Sequence, residues 1–175
     1  MKTRKKISKK NDKLSFDPQM MSFVNKMGKY YESFGISRIG GQIVGLMLIT
    51  DSGITQEEIQ RILGVSRSSI STNLKMLIHN SGIEEVRISG ERKSYFRISD
   101  RAAELSIQKK LNSYDYLKEV VAEAIENLKK KGSSTEKLIG LLHWINLDKE
   151  VSQELLEKWK SILNSSAQAG RKQSK

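Results

Sequence analysis

The chain has 175 residues, a formal charge of +11 and no cysteine. That length holds one medium domain, or a small domain with an oligomerisation arm. The missing thiols exclude disulfides and thiolate metal sites, and no apolar run is long enough to span a bilayer as a helix.

The charge is uneven. Lys2, Arg4, Lys5, Lys6, Lys9 and Lys10 crowd the first ten residues without an acid, while Arg171, Lys172 and Lys175 close the chain. Residues 1–16 are therefore expected to be a disordered basic arm drawn to polyanions, and 165–175 a shorter basic tail that serves solubility. Asn11, Asp12 and Lys13 follow the first cations where a secretory signal would carry apolar residues, so a cytoplasmic protein is expected.

Asp17 and Pro18 predict a helix start, a capping acid followed by proline at the first helical position. Met20, Phe23, Val24, Met27, Tyr31 and Phe34 then recur at helical spacing, and Gly35 ends the run. A second helix is predicted over about 37–50, with Ile39, Ile43, Val44, Met47 and Leu48 inward. Gly41 and Gly45, four apart, would let another helix approach closely. Asp51, Ser52 and Gly53 form the turn into the next helix.

Thr55 and Glu58 have the spacing of a capping box. Ile59, Ile62 and Leu63 give that helix one apolar face, and Gly64 turns the chain at low cost because it lacks a Cβ. Ser66 caps a further helix whose buried side is Ile70, Leu74, Leu77 and Ile78. Its other face is Arg67, Ser68, Ser71, Thr72 and Lys75, hydroxyls flanked by cations and free of carboxylates. Such a face suits a DNA major groove. Asn80, Ser81 and Gly82 stop the helix. Residues 83–89 and 94–98 read as two strands around a Gly90-Glu91-Arg92-Lys93 turn, with Arg87 and Arg97 adding charge to the ribbon. The whole is a winged helix-turn-helix.

Ser99 and Asp100 cap a long helix reaching Lys131. Ile107, Leu111, Tyr114, Val121, Ile125 and Leu128 fall on a coiled-coil-like seam, with Lys118 in the remaining slot and Leu117, Val120 and Ala124 widening the apolar side. Lys129 to Lys131 and Gly132 make a good helix end. Two short helices are expected next. One is boxed by Ser133 and Glu136 and buries Leu138, Leu142 and Ile145. The other is capped by Asp148 and buries Val151, Leu155, Trp159 and Ile162. The fold class is thus mainly α with a small β-wing. A DNA-binding domain over 17–99 precedes a helical dimerisation or regulatory region over 100–164.

Three motifs in these segments resemble the GbsR branch of the MarR-type transcriptional regulators. The first is Phe34-Gly35-Ile36-Ser37-Arg38-Ile39-Gly40-Gly41-Gln42-Ile43-Val44-Gly45-Leu46. The second is Leu63-Gly64-Val65-Ser66-Arg67-Ser68-Ser69-Ile70-Ser71. The third is Gly90-Glu91-Arg92-Lys93-Ser94-Tyr95-Phe96, similar to the family's wing. The likeness covers roughly residues 28–131. Gln42 departs from it, standing where the family often has a basic residue, and so does Gln60, where alanine is usual. The resemblance implies a homodimeric repressor or activator on an inverted-repeat operator, with repression the expected sign. It also implies a possible small-molecule effector of the quaternary-amine class.

Under this reading the DNA-binding residues are Ser66, Arg67, Ser68, Ser71, Thr72 and Lys75, with Arg92 and Lys93 at the wing tip reaching the neighbouring minor groove or its phosphates. The basic arm adds salt-sensitive affinity that is blind to sequence. A dimer places two recognition helices roughly 34 Å apart, one turn of DNA. The 17–34 and 100–131 helices are the expected interface, although both could instead complete a monomer core. An aromatic cage would draw on Tyr30, Tyr31, Phe34, Tyr114, Tyr116 and Trp144, which at helical positions are more often core. No catalytic, metal or cofactor site is expected, since His79 and His143 stand far apart with no ligand cluster and no glycine-rich phosphate loop is present. The competing readings are a winged helix that docks on protein and a non-specific nucleic-acid binder.

Overall fold

In the computed structural model the described residues are 16–50, 53–80 and 82–172, with 166–172 described by their backbone alone. Residues 1–15 of the expected N-terminal arm, Asp51, Ser52 and Ser81 lie outside them, whereas Phe16, expected in that arm, packs against the core of the first unit. The chain forms two compact units that divide between Ala102 and Ala103.

In the first unit, α1 (Pro18–Glu32) starts where Asp17 accepts the Met20 N–H at 2.8 Å. Helix α2 (Arg38–Leu48) starts where Ser37 Oγ accepts the Gly40 N–H at 3.0 Å. The two helices touch through glycine. A Cβ on Gly41 would lie 2.7 Å from Tyr31 Cβ and 2.8 Å from the Met27 carbonyl oxygen. The expected close approach is therefore present, with α1 as the partner. Helix α1 buries only Val24 and Gly28, and leaves Met20, Phe23 and Tyr30 exposed, as is Phe34 in the turn that follows. On α2, Leu46 is fully buried and Leu48 is exposed, the reverse of what the apolar pattern suggests.

A two-residue strand, β1 (Ile54–Thr55), precedes α3 (Gln56–Leu63). The capping box forms: Glu58 N–H donates to Thr55 Oγ1 at 3.2 Å, and Thr55 N–H donates to Glu58 Oε2 at 2.8 Å. Gly64 adopts φ +65°, a left-handed turn that costs a glycine little. Helix α4 (Arg67–His79) follows, with Ser66 Oγ accepting the Ser69 N–H at 3.3 Å. Strands β2 (Ile83–Arg87) and β3 (Ser94–Ile98) are antiparallel, with Ile83 opposite Ile98 and Arg87 opposite Ser94. The sheet order is β1-β3-β2. Ile88 and Ser89 belong to the wing loop and not to β2.

Ile43, Leu46, Ile54, Ile59 and Ile70 are fully buried, so one apolar core joins α2, β1, α3 and α4. This burial, non-directional and proportional to area, is what holds α4 against the rest. Ile78, expected inside, is exposed. Asn73, not expected inside, is buried at 8% exposure.

The second unit contains α5 (Ala102–Lys130) and α6 (Glu136–Lys172). Gly132, at φ +66°, ends the first of these after its lysines. Tyr114, Val121 and Ile125 of the seam pack with Ile145, flanked by Leu138 and Leu142. These three seam residues are therefore packed against α6 of the same chain, while Leu117 and Val120 on the wider apolar side of α5 are exposed.

Helix α6 is one helix where two were expected, and it runs past 164 to Lys172. The chain's single proline is Pro18, so no proline breaks it. Asp148 is not a cap. It sits mid-helix and accepts hydrogen bonds from the Tyr114 hydroxyl and, at 2.9 Å, from Lys110 Nζ. The shift in register also turns Val151, Leu155 and Ile162 outward, while Ser152 and Leu156 are buried. With Trp144 and Leu147 these outward residues form an exposed apolar stripe. No described helix is long and apolar enough to cross a membrane.

Candidate nucleic-acid interface

The recognition face is built from the α4 periodicity. Arg67, Ser68, Thr72 and Lys75 are exposed and Ser71 is half-buried, opposite the inward Ile70, Leu74 and Leu77. Arg92 and Lys93 are exposed on the wing loop. A cleft of about 390 Å³ lies between helix and wing. Arg67, Ser71 and Lys75 line it from α4, and Arg92 and Lys93 from the wing, together with the apolar Leu74, Ile78 and Phe96 and two acids, Glu57 of α3 and Glu85 of β2. Five of the eight expected residues thus share one cavity. Ser66, Ser68 and Thr72 do not line it. Ser66 Oγ holds the helix start and lies 3.1 Å from Ser68 Oγ, so these two hydroxyls are engaged with each other.

Three contacts that local sequence does not signal support the site. Gln56 of α3 donates from Nε2 to the Arg67 carbonyl at 3.0 Å, pinning the first turn of α4. Glu91 accepts the Tyr95 hydroxyl at 2.7 Å. This bond, aided by burial, pushes the Tyr95 phenol up to about 12. It also explains the acid of the wing motif, whose carboxylate grips the aromatic four residues on while Arg92 and Lys93 stay exposed. Glu85 accepts Ser94 Oγ at 2.5 Å, bracing the ribbon beneath the cleft.

The ribbon's other cations differ from expectation. Arg97 lies opposite Glu84 and pairs with it at 2.5 Å, and Arg87 lies 3.6 Å from Glu85. Two acids thus offset the charge these arginines would add. Gln42 donates to Asn25 at 2.8 Å and so ties α2 to α1, and Gln60 is exposed, so it does not loosen the packing.

Tyr30 meets Tyr31 at 5.4 Å and Phe34 at 5.0 Å between ring centroids. Tyr114 is buried on α5 and already has a cation near its face, Lys110 Nζ at 5.7 Å. Tyr116 and Trp144 are exposed. Among the described residues no cluster of three His, Asp or Glu side chains is placed to hold a metal ion.

No family model matches the sequence. Over 92 residues it is 37% identical to the HTH-type transcriptional regulator MmpR5 of Mycobacterium tuberculosis, a match covering 52% of this chain and 56% of that protein. The likeness therefore spans little more than half of that relative's length. A crystal structure of a transcriptional regulator superposes with a TM-score of 0.72 at 26% identity, over 82% of this chain and 99% of that one. The fold is a winged helix, similar to that transcriptional regulator. In this fold the β2–β3 ribbon is the wing beside α4, and both of these relatives are transcriptional regulators.

Proposed function

We propose that this protein is a sequence-specific DNA-binding transcriptional regulator of the GbsR branch, a repressor that grips an inverted-repeat operator as a homodimer in the cytoplasm. The observation that carries the reading is the shared cleft. Arg67 and Lys75 on one wall and Arg92 and Lys93 on the other converge where a phosphate backbone would pass between helix and wing. The α4 hydroxyls and cations then meet base edges or groove walls, and the wing cations meet the adjacent minor groove or its phosphates. Ser66 sits at the positive end of the helix, a favourable place for a phosphate.

Dimerisation is supported by apolar surface left uncovered within each unit: Met20, Phe23 and Tyr30 on α1 with Phe34 just after it, and Trp144, Leu147, Val151, Leu155 and Ile162 on α6. Contiguous exposed apolar surface marks interaction sites. The inner seam of α5 has no such role. The basic residues 2–10 add affinity through counterion release. A quaternary-amine effector rests on the family resemblance alone.

The test is recovery of fragmented genomic DNA on purified protein near physiological salt, followed by sequencing. A shared inverted repeat is the expected result. Diffuse recovery would favour non-specific binding through the tails. The reading as a protein-docking module is separated by reversing charge at Arg67 and Lys75, which abolishes operator binding only if this face touches DNA.

A further inference from the structure

The recognition helix carries one polar group on its buried side. Asn73 is 8% exposed among Ile70, Leu74 and Leu77. Its carboxamide is satisfied at both ends. Nδ2 donates to the Ser69 carbonyl at 2.8 Å, one turn back, and Oδ1 accepts the hydroxyl of Ser37. Ser37 is the N-cap of α2, and its Oγ accepts the Gly40 N–H at 3.0 Å. Gly40 leaves room for this arrangement, since a Cβ there would stand 3.0 Å from Asn73 Oδ1. A chain of hydrogen bonds thus runs from the first turn of α2 into the middle of α4, between residues 36 apart in sequence.

Stability alone does not account for it. A buried amide must recover in hydrogen bonds what it loses in hydration, and an apolar side chain of similar size does at least as well. What an apolar contact cannot do is fix rotation. Leu74, Leu77 and Ile70 would accept a helix turned or slid slightly on α2, because burial has no direction. A paired Asn–Ser contact has a direction, as single buried polar residues do when they set helix register.

We propose that Ser37 and Asn73 are positioning residues that lock the rotation of α4 on α2, and so set which operator bases Arg67, Ser71 and Lys75 address. The inference rests on the DNA-reading function proposed above. Both act through α4.

The test uses the full chain and the inverted-repeat duplex recovered above, with a scrambled duplex at the same salt. The ratio of the two affinities is read beside the thermal midpoint. Asn73→Leu is expected to stay folded and keep its affinity for the scrambled duplex, while losing roughly tenfold in discrimination, about one base contact's worth. Ser37→Gly keeps most of the capping preference but removes the donor. It is expected to show the same loss, and serves if Asn73→Leu does not fold. Ser37→Thr restores the hydroxyl and should restore the ratio. Wild-type discrimination in Ser37→Gly, or a lowered midpoint with an unchanged ratio, would overturn the inference while leaving the DNA reading intact. A wild-type protein that does not discriminate would overturn both.

Discussion

Replacing Gly41 by alanine separates helix propensity from packing within one molecule. In a helix interior the change is favourable by about 1 kcal/mol, since alanine loses less backbone freedom. At Gly41 the added methyl would lie 2.7 Å from Tyr31 Cβ, 2.8 Å from the Met27 carbonyl oxygen and 2.9 Å from Gly28 Cα. Two of these three neighbours are backbone, so no rotamer change relieves the clash and α1 must move off α2. Overpacking of this kind costs about 3 kcal/mol, the upper end of the usual range. The net is a loss of about 2 kcal/mol. For a unit of this size that lowers the midpoint by roughly 10 °C. Gly140 is the internal control, because nothing lies within 4 Å of a Cβ built there. Gly140→Ala should be neutral to stabilising by about 1 kcal/mol. Circular dichroism melts of the two variants give the comparison. A Gly41→Ala protein as stable as wild type would refute the close helix contact.

Lys75→Ala should weaken DNA binding about equally across sequences and reduce the slope of log affinity against log salt by about 0.9 if it neutralises one phosphate; an unchanged slope places Lys75 off the backbone. The Tyr95 phenol should ionise at about 12, and Glu91→Gln should move it back towards 10.0, read by ultraviolet titration against Tyr95→Phe. Because the folded value is raised, this contribution to stability is complete below the ordinary phenol range and is lost as pH climbs through about 12. Asp148 runs the other way: the Tyr114 hydroxyl and then Lys110 hold its carboxyl below the usual 3.8. Its contribution is complete above that value and is lost as pH falls through the lower folded value, so Asp148→Asn should flatten the acid limb of stability. Both tryptophans, Trp144 and Trp159, lie in α6, so fluorescence reads the acid limb of that unit. Val121→Glu places a carboxylate where the side chain is 4% exposed, and should unfold the α5–α6 pair by the same probe; a native-like melt would show that the seam is not packed within the chain.

What could be read in advance was what neighbours in sequence determine. The Asp17, Thr55 and Ser66 caps, the Gly64 turn and the wing loop are each written within four or five residues, and the structure shows all of them. The cationic face of α4 followed from its period alone. The apolar pattern was weaker wherever a helix has two apolar sides. On α6 it could not tell Leu155 from Leu156, because the choice depends on where α5 lies. Asp148 looks like a cap locally and finds its partners 34 and 38 residues away. Asn73 fails for the same reason, since its partner Ser37 belongs to another helix. Strand β1 is too short to carry an alternating pattern, and exists because β3 supplies its edge. The pairing of Arg97 with Glu84 needed the strand register, which the turn residues alone left open.

Thr55 holds two positions at once. It stands opposite Tyr95 in the sheet, and its side chain caps α3. Tyr95 in turn is bonded to Glu91, beside Arg92 at the wing tip. A push on the tip is therefore delivered through one phenol and one short strand to the first turn of α3, and from Gln56 on to the carbonyl of Arg67. Under the DNA-reading function proposed above, duplex geometry met at the wing, such as the width of the minor groove, would bear on the position of α4 through this chain of contacts.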